Sequence, residues 1–489
     1  MRIRSGVPIV RRAGLLLTWA VLVCAATPGW AMPRFGRAGT YAVDGAPIGI
    51  TAAALDAQAG RDLVTVNEAG TEGPSLSLLF NRGQGSFFSD ERVTVNAAQY
   101  IVEAIASGDF DADRLDDLAV AVDDVTTFPV RGMVLIYRNT GGAFAAPVAV
   151  ALNGFFTRAI SAADVTGDGV LDLVVAYAHS GDTAIGQISV LAGQSSGGKP
   201  SGVFSLLLTV GVGTAPTSLS VGDLDADGHA DVVVADHDGS RVYVLYGSGT
   251  AGDPLEPPIE LSSLAAPIAA LIDVLPGAAL PQVLVGTQNN GKLSRFVQTA
   301  PRQFAAPTDQ RVGLLPVAMG LADLTGDGVA DLVVLSALGA EMWTGAADGG
   351  FAFGETMIDD DSLDALVLAD LNGDAKVDLA ASANTQDRVT VVLNGADVPF
   401  TPSPTATITA TPTRTPVLSA TPTPLAGCTG DCNGDGTVSI SDLIQGVNIA
   451  LGNAAVGTCT AFDRDGNGQV TVSELIAGVN SALGSCSAP

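Results

Sequence analysis

Asp223-Leu224-Asp225-Ala226-Asp227-Gly228-His229-Ala230-Asp231, followed by Val232-Val233-Val234-Ala235, is the stretch that decides the fold of this chain. A short apolar strand, Ser218-Leu219-Ser220-Val221, runs into the loop and a β-branched strand leaves it, so the aspartates sit in a turn between two strands. Carboxylates at positions 1, 3, 5 and 9 of such a turn repel one another unless a cation is held among them. Hard oxygen donors at that density suit calcium.

The same pattern recurs along the chain. Intact copies are Asp109 to Asp117, Asp164 to Asp172, Asp323 to Asp331 and Asp370 to Asp378. Two worn copies fill the gaps, one led by Asp56 with Asp62-Leu63-Val64, the other led by Asp273 with Gln282-Val283-Leu284-Val285. The leading aspartates at 56, 109, 164, 223, 273, 323 and 370 define seven units, a repeat period that marks stacked or radial architectures.

Each unit continues with an alternating strand such as Arg241-Val242-Tyr243-Val244-Leu245-Tyr246 and a looser one such as Phe144 to Val150. Four short strands per unit, punctuated by Gly, Asp and Pro and without helical periodicity, predict an all-β, seven-bladed propeller. The seventh unit lacks a fourth strand before a Pro-rich stretch, while Phe35 to Val43 stands as an orphan strand before the first unit. The orphan ends in Gly45-Ala46-Pro47, as Gly213-Thr214-Ala215-Pro216 does between units. Residues 35–43 are therefore expected to complete the seventh blade and hide two strand edges.

The loop pattern resembles the FG-GAP/VCBS repeats of integrin-α-like propellers over residues 44–395. In that family loop positions 1, 3, 5 and 9 bind calcium. The resemblance implies as ligands Asp109, Asp111, Asp113 and Asp117; Asp164, Asp168 and Asp172; and Asp223, Asp225, Asp227 and Asp231. It also implies Asp323, Asp327 and Asp331, then Asp370, Asn372, Asp374 and Asp378. Thr166 and Thr325 stand at position 3 as weaker donors, and Arg114 replaces a turn glycine. The units at Asp56 and Asp273 lack the ligand set and are expected to be metal-free.

The two ends of the chain set its compartment. Arg2, Arg4, Arg11 and Arg12 precede an uncharged apolar run, Ala13 to Ala26, and small residues near Ala31, which reads as a signal peptide over residues 1–31. The run is too short for a comfortable membrane span, and no later stretch is apolar enough for one. The whole chain carries a net charge of −28 and loses four arginines with the leader. Nucleic acid and anionic membranes are thereby excluded as partners, and the expected location is secreted or cell surface. Cys428, Cys432, Cys459 and Cys486 cluster near the C-terminus, the usage of an exported module with two disulfides. Three pairings stay open, including a clasp of Cys486 to Cys428 or Cys432.

The organisation that follows is a leader (1–31), a propeller (32–398), a Thr/Pro linker (399–426) and a small C-terminal module (427–489). The linker, with Thr-Pro-Ser-Pro and Thr-Pro-Thr-Pro runs, is an extended spacer. The module has two loops with ligands at positions 1, 3, 5, 7, 9 and 12: Asp431, Asn433, Asp435, Thr437, Ser439 and Asp442, then Asp463, Asp465, Asn467, Gln469, Thr471 and Glu474. Each is followed by a near-identical helix, Leu443 to Leu451 and Leu475 to Leu483, with one apolar face. This loop–helix duplication is similar to dockerin domains, which implies two more calcium ions and a cohesin-like partner. A calcium-stabilised folding cap without a partner is the alternative.

Motifs that carry catalysis fail on context. Gly193-Gln194-Ser195-Ser196-Gly197 spells a nucleophile elbow but has no following helix, and Gly247 to Gly252 spells a dinucleotide fingerprint broken by Asp253-Pro254. His179, His229 and His237 are the only histidines; the last two flank one strand. Two function classes remain: an extracellular binding, adhesion or scaffold protein facing a protein or glycan, and a secreted propeller enzyme (lyase or hydrolase) acting on polysaccharide.

Overall fold

The computed structural model describes residues 35–395 except 59, 70–72, 96–99, 180–184 and 277, and further on residues 432, 438, 440–450, 458–463 and 470. The expected leader (1–31), the expected linker (399–426), and the loop residues Asp431, Asn433, Asp435, Thr437, Ser439, Asp465, Asn467, Gln469, Thr471 and Glu474 lie outside the described residues. The chain divides into two units, Met1–Ser403 and Pro404–Pro489.

The first unit is a seven-bladed β-propeller of antiparallel sheets, the strands following sequence order from the inner strand outwards in every blade but the seventh. Blade 1 is Pro47–Ala53, Asp62–Asn67, Ser75–Asn81 and Phe87–Thr94; blade 2 is Tyr100–Gly108, Asp117–Asp124, Arg131–Tyr137 and Val148–Ala151. Blade 3 is Phe155–Ala163, Asp172–His179, Ile185–Ser196 and Lys199–Gly211; blade 4 is Pro216–Gly222, Asp231–Asp236, Arg241–Leu245 and Ile259–Ser263. Blade 5 has Pro267–Asp273, Gln282–Thr287 and Lys292–Ala300, with its outer strand split into Gln303–Phe304 and Thr308–Arg311. Blade 6 is Ala318–Ala322, Asp331–Ser336, Gly339–Gly345 and Phe351–Ile358. Blade 7 is Leu363–Ala369, Asp378–Ala383 and Arg388–Asn394, completed by Phe35–Ala42. That N-terminal strand runs antiparallel to Arg388–Asn394, with Tyr41 opposite Val389 and Phe35 opposite Asn394.

Packing explains the sequence pattern of the blades. The second strand of a blade is covered on both faces by its two neighbours, so Asp231–Asp236 and Asp378–Ala383 are buried at every residue. Strands covered on both faces read as continuous apolar runs rather than alternations. Each apolar cluster of the propeller lies between blades, not within one. Leu76, Leu78 and Val66 of blade 1 meet Val102, Leu118 and Val120 of blade 2. The ring closes in the same way, with Leu63, Leu79 and Phe87 of blade 1 packed against Leu371, Val389 and Leu393 of blade 7. At about 1.5–3 kcal/mol for each buried Leu, Val or Phe side chain, these inter-blade seams hold the ring together.

Register corrects two of the seven repeat assignments. In the intact units, the ninth loop residue pairs with the residue just before the loop, as in Gly108↔Asp117 and Gly222↔Asp231. In blade 1 the pair is Ala53↔Asp62, which puts Ala54 at position 1 and Asp56 at position 3. In blade 5 the pair is Asp273↔Gln282, so Asp273 ends the inner strand and leads no loop. Gln282 fills the ninth position there, and its Nε2 donates to Asp273 Oδ2 at 2.6 Å.

In the second unit a helix spans Ile440–Ala450. Cys432 is bonded to Cys459, which removes the clasp of Cys432 to Cys486; Cys428, Cys486 and the second helix lie outside the described residues. Ile449, Cys459, Phe462 and Val470 are buried together. Val438 and Val470, each the eighth residue of its loop, are both buried. At Gly446 a Cβ would stand 2.6 Å from the Phe462 ring.

Candidate metal centres

Each acidic loop closes on its first aspartate. Asp109 accepts the amides of Asp113 and Arg114 at 3.0 and 2.9 Å, and Asp164 accepts those of Gly167, Asp168 and Gly169 at 2.7, 3.1 and 2.8 Å. Asp223, Asp323 and Asp370 repeat the arrangement. To bring these amides inward the backbone turns left-handed at positions 4 and 6: φ is 73° and 82° at Gly167 and Gly169, and 60° and 78° at Ala112 and Arg114. Glycine adopts that conformation without cost, and Arg114 does not.

The carboxylates at positions 1, 3 and 5 come together. Atoms of Asp109, Asp111 and Asp113 lie within 4.8 Å of one another, and so do atoms of Asp223, Asp225 and Asp227. The other three loops have fewer acids in these positions: Asp164 with Asp168 around Thr166, Asp323 with Asp327 around Thr325, and Asp370 with Asp374 around Asn372. Position 3 carries the strongest sign of an absent partner. Asp111 Oδ1, Thr166 Oγ1 and Thr325 Oγ1 are all buried without a hydrogen bond. The two threonine hydroxyls are near enough to the ninth-position carboxylate to favour its charge, yet outside ordinary hydrogen-bond geometry. Buried oxygens without donors, beside a carboxylate cluster, are what a hard cation would satisfy.

The ninth-position aspartates are placed differently from the rest. Asp117 is fully buried; its Oδ2 accepts the amide of Phe110 at 3.1 Å and its Oδ1 that of Asn139 at 2.7 Å. Asp172, Asp231, Asp331 and Asp378 each clamp the second loop residue and the end of the third strand in the same way. Asp62, in a blade without the acidic loop, does so too, through Leu55 and Asn81. The clamp is thus a structural part of six blades and does not depend on the ligand set. Burial, and secondarily the charges of Asp111 and Asp113, push Asp117 up to about 7. Burial likewise pushes Asp231 and Asp378 up to about 6, with Asp225 adding to the first and Asp374 and Asp370 to the second. The ninth carboxylate therefore feels the other acids of its loop, and a bound dication would relieve all of them.

In the C-terminal unit, Asp442 is 3% exposed and its Oδ1 accepts the amide of Cys432 at 3.3 Å. Asp463 is the other expected ligand position among the described residues. Elsewhere, Gly193 to Gly197 leads into the hairpin between Ile185–Ser196 and Lys199–Gly211, and His229 and His237 stand at opposite ends of Asp231–Asp236.

Residues 156–191 and 215–245 match the model of the FG-GAP repeat. They contain the loops led by Asp164 and Asp223. No curated protein matches the chain. Among solved structures, the chain is similar to BBS1N in a crystal structure with ARL6DN soaked with lead: 15% identity, TM-score 0.49, covering 73% of this chain and 96% of that one. It is also similar to an Agrocybe aegerita lectin, in a structure described for recognition of non-reducing terminal N-acetylglucosamine: 16% identity, TM-score 0.43, covering 75% and 96%.

Proposed function

We propose that this chain is an exported, calcium-stabilised propeller that serves as a binding or scaffold module toward an extracellular protein or glycan. The observation that carries the calcium reading is the Asp109 loop, where three carboxylates converge and Asp111 Oδ1 is buried without a partner. Calcium would be held there by Asp109, Asp111 and Asp113 with Asp117 behind them, and in the other loops by the matching residues. Its chemistry is electrostatic: it ties the loop to itself and offsets the repulsion of buried carboxylates.

A binding role is supported by the opposite end of the blades. The acidic loops join inner and second strands; the other end, where second and third strands join, carries exposed apolar side chains. Phe128 is fully exposed, and Val125 and Phe156 are 46% and 44% exposed. Phe156 is held at φ 58°, a strained conformation for a bulky residue, with its amide bonded to Asp123 Oδ2 at 2.9 Å. The C-terminal unit is read as an EF-type calcium module that docks or caps, on its buried eighth-position valines and its first-turn Asp442. The test is an array of extracellular glycans and proteins probed with the full chain in calcium. A ligand bound by the parent and at least tenfold weaker with Phe128→Ala/Phe156→Ala is expected. Turnover of a polysaccharide by the purified chain would instead establish an enzyme.

A further inference from the structure

The Asp223 loop has a full set of acids by sequence, yet its charge is already met from the next blade. Arg302 sits in the turn between Lys292–Ala300 and Gln303–Phe304 of blade 5. Its Nε is 2.5 Å from Asp225 Oδ2 and its Nη2 is 3.5 Å from Asp227 Oδ2. Nη1 donates to both oxygens of Glu256 at 3.0 Å, and the guanidinium carbon lies 4.4 Å from the centre of the Tyr246 ring. The hairpin that carries it is itself fixed. Gln298 Nε2 donates to the Leu224 carbonyl at 2.6 Å, and Gln298 Oε1 accepts the Arg302 amide at 3.0 Å.

The Asp109 loop, with the same three acids, is different. Arg138 is 3.9 Å from Asp111, its side chain is half exposed, and Asp111 Oδ1 remains buried without a partner. Among the described residues, no carboxylate oxygen of the Asp223 loop is left in that state. A planar guanidinium with two carboxylate neighbours, a bidentate third and an aromatic face is a good substitute for a bound cation.

We propose that Arg302 is the resident cation of the Asp223 loop, so that this loop takes calcium only by displacing it. The proposal rests on calcium binding at the other acidic loops. A dication among Asp223, Asp225 and Asp227 would stand a few ångströms from the guanidinium, and the two repel. Calcium entry must therefore break the contacts of Arg302 with Asp225 and Asp227, which join blades 4 and 5. Metal occupancy and the blade 4–5 seam are then coupled, and the coupling works in both directions.

Calcium titration calorimetry of the full chain tests this with six variants: Arg302→Gln, Arg302→Lys, Asp225→Asn, Arg302→Gln/Asp225→Asn, Asp111→Asn and Arg302→Gln/Asp111→Asn. The C-terminal loops contribute equally to all and cancel in the differences. Arg302→Gln is expected to add one site, or to tighten the weakest class at least tenfold, with Arg302→Lys intermediate. Adding Asp225→Asn should remove that gain. Asp111→Asn should lose one site whether or not Arg302 is present. An isotherm unchanged by Arg302→Gln, with Asp225→Asn alone costing the parent a site, would overturn the role of Arg302. Loss of no site in Asp111→Asn would instead overturn the calcium reading, and the proposal with it. A melt of each variant in EDTA verifies that it folds.

Discussion

Asn139 donates its side-chain amide to the main-chain carbonyl of Leu55 over 2.8 Å, tying the third strand of blade 2 to the loop of blade 1. The same latch recurs from Asn81 to Leu371 and from Asn394 to Leu324, each at 2.6 Å, with Gln298 reaching Leu224 in blade 5. The accepting carbonyl belongs to the apolar second residue of each loop, whose side chain is buried in the seam. Without the amide it would be a buried acceptor with no donor. Asn139→Ala is therefore expected to cost about 1–3 kcal/mol, the penalty for leaving a buried polar group unpaired. Chemical denaturation of the chain lacking residues 1–31, followed by Trp343 fluorescence, measures it; no change in the midpoint would show that water takes the place of the amide.

Positions 3 and 9 of one loop should separate cleanly by mutation. Asp117 is held by two backbone amides, so Asp117→Ala should destabilise the propeller by roughly 2–4 kcal/mol with or without calcium. Asp111 Oδ1 has no protein partner, so Asp111→Ala should be nearly neutral in EDTA and costly in calcium. Equal behaviour of the two variants under both conditions would mean that the ninth residue has no role beyond the metal.

The seam between blades 2 and 3 should make stability depend on pH. Burial pushes Glu103 up to about 7, against the pull of Arg158, whose Nη1 is 3.0 Å away; Asp123 and Glu68 add to the rise. The folded state then holds a proton that the unfolded state releases near pH 4.3, so folding favours proton uptake between these values. Stability is expected to fall as pH rises from about 4.3 to 7, by about 1–2 kcal/mol after allowance for solvent screening. Glu103→Gln should flatten that slope and be the more stable protein at pH 8. A slope identical in both would place the titration elsewhere.

Much of this architecture was legible in the sequence because its signals are local. The Asp-x-Asp-x-Asp-Gly spacing, the buried second strands and the missing fourth strand of the seventh unit each lie within one short segment. What was not legible depends on residues distant in sequence. The Asn81 latch joins positions 290 residues apart, and Arg302 reaches Asp225 across 77. A lone Asn at a strand end or a lone Arg in a hairpin carries no mark of such a partner. The two misassigned units had lost the acids that set the register. Asp56 and Asp273 were the nearest aspartates available, whereas strand pairing follows the apolar pattern around them. In the sequence the ninth aspartate shows only as a candidate ligand, because sequence cannot show that two amides converge on it.

Closure by the N-terminal strand is open to a truncation test. Phe35–Ala42 pairs along the full length of Arg388–Asn394. Deleting residues 32–43 would expose the backbone edge of Val389 to Leu393, which invites pairing with another chain. Concentration-dependent association in sedimentation, with a lower melting temperature, is expected. A truncated chain as monomeric and stable as the parent would contradict the role of this strand.

Calcium binding by the acidic loops is tested most directly by the thermal melt of the propeller with and without metal. Of the three tryptophans, Trp19 and Trp30 fall within residues 1–31, so in a chain lacking those residues the fluorescence of Trp343 in blade 6 reports propeller unfolding alone. With about 1 mM calcium and a dissociation constant of roughly 10 µM, each independent site adds about 2.7 kcal/mol. Several such sites should raise the melting temperature by on the order of 10 °C over that in EDTA. That shift, together with calcium retained on the purified protein by elemental analysis, is the expected result. Identical Trp343 melts in calcium and in EDTA, with no calcium retained, would contradict it.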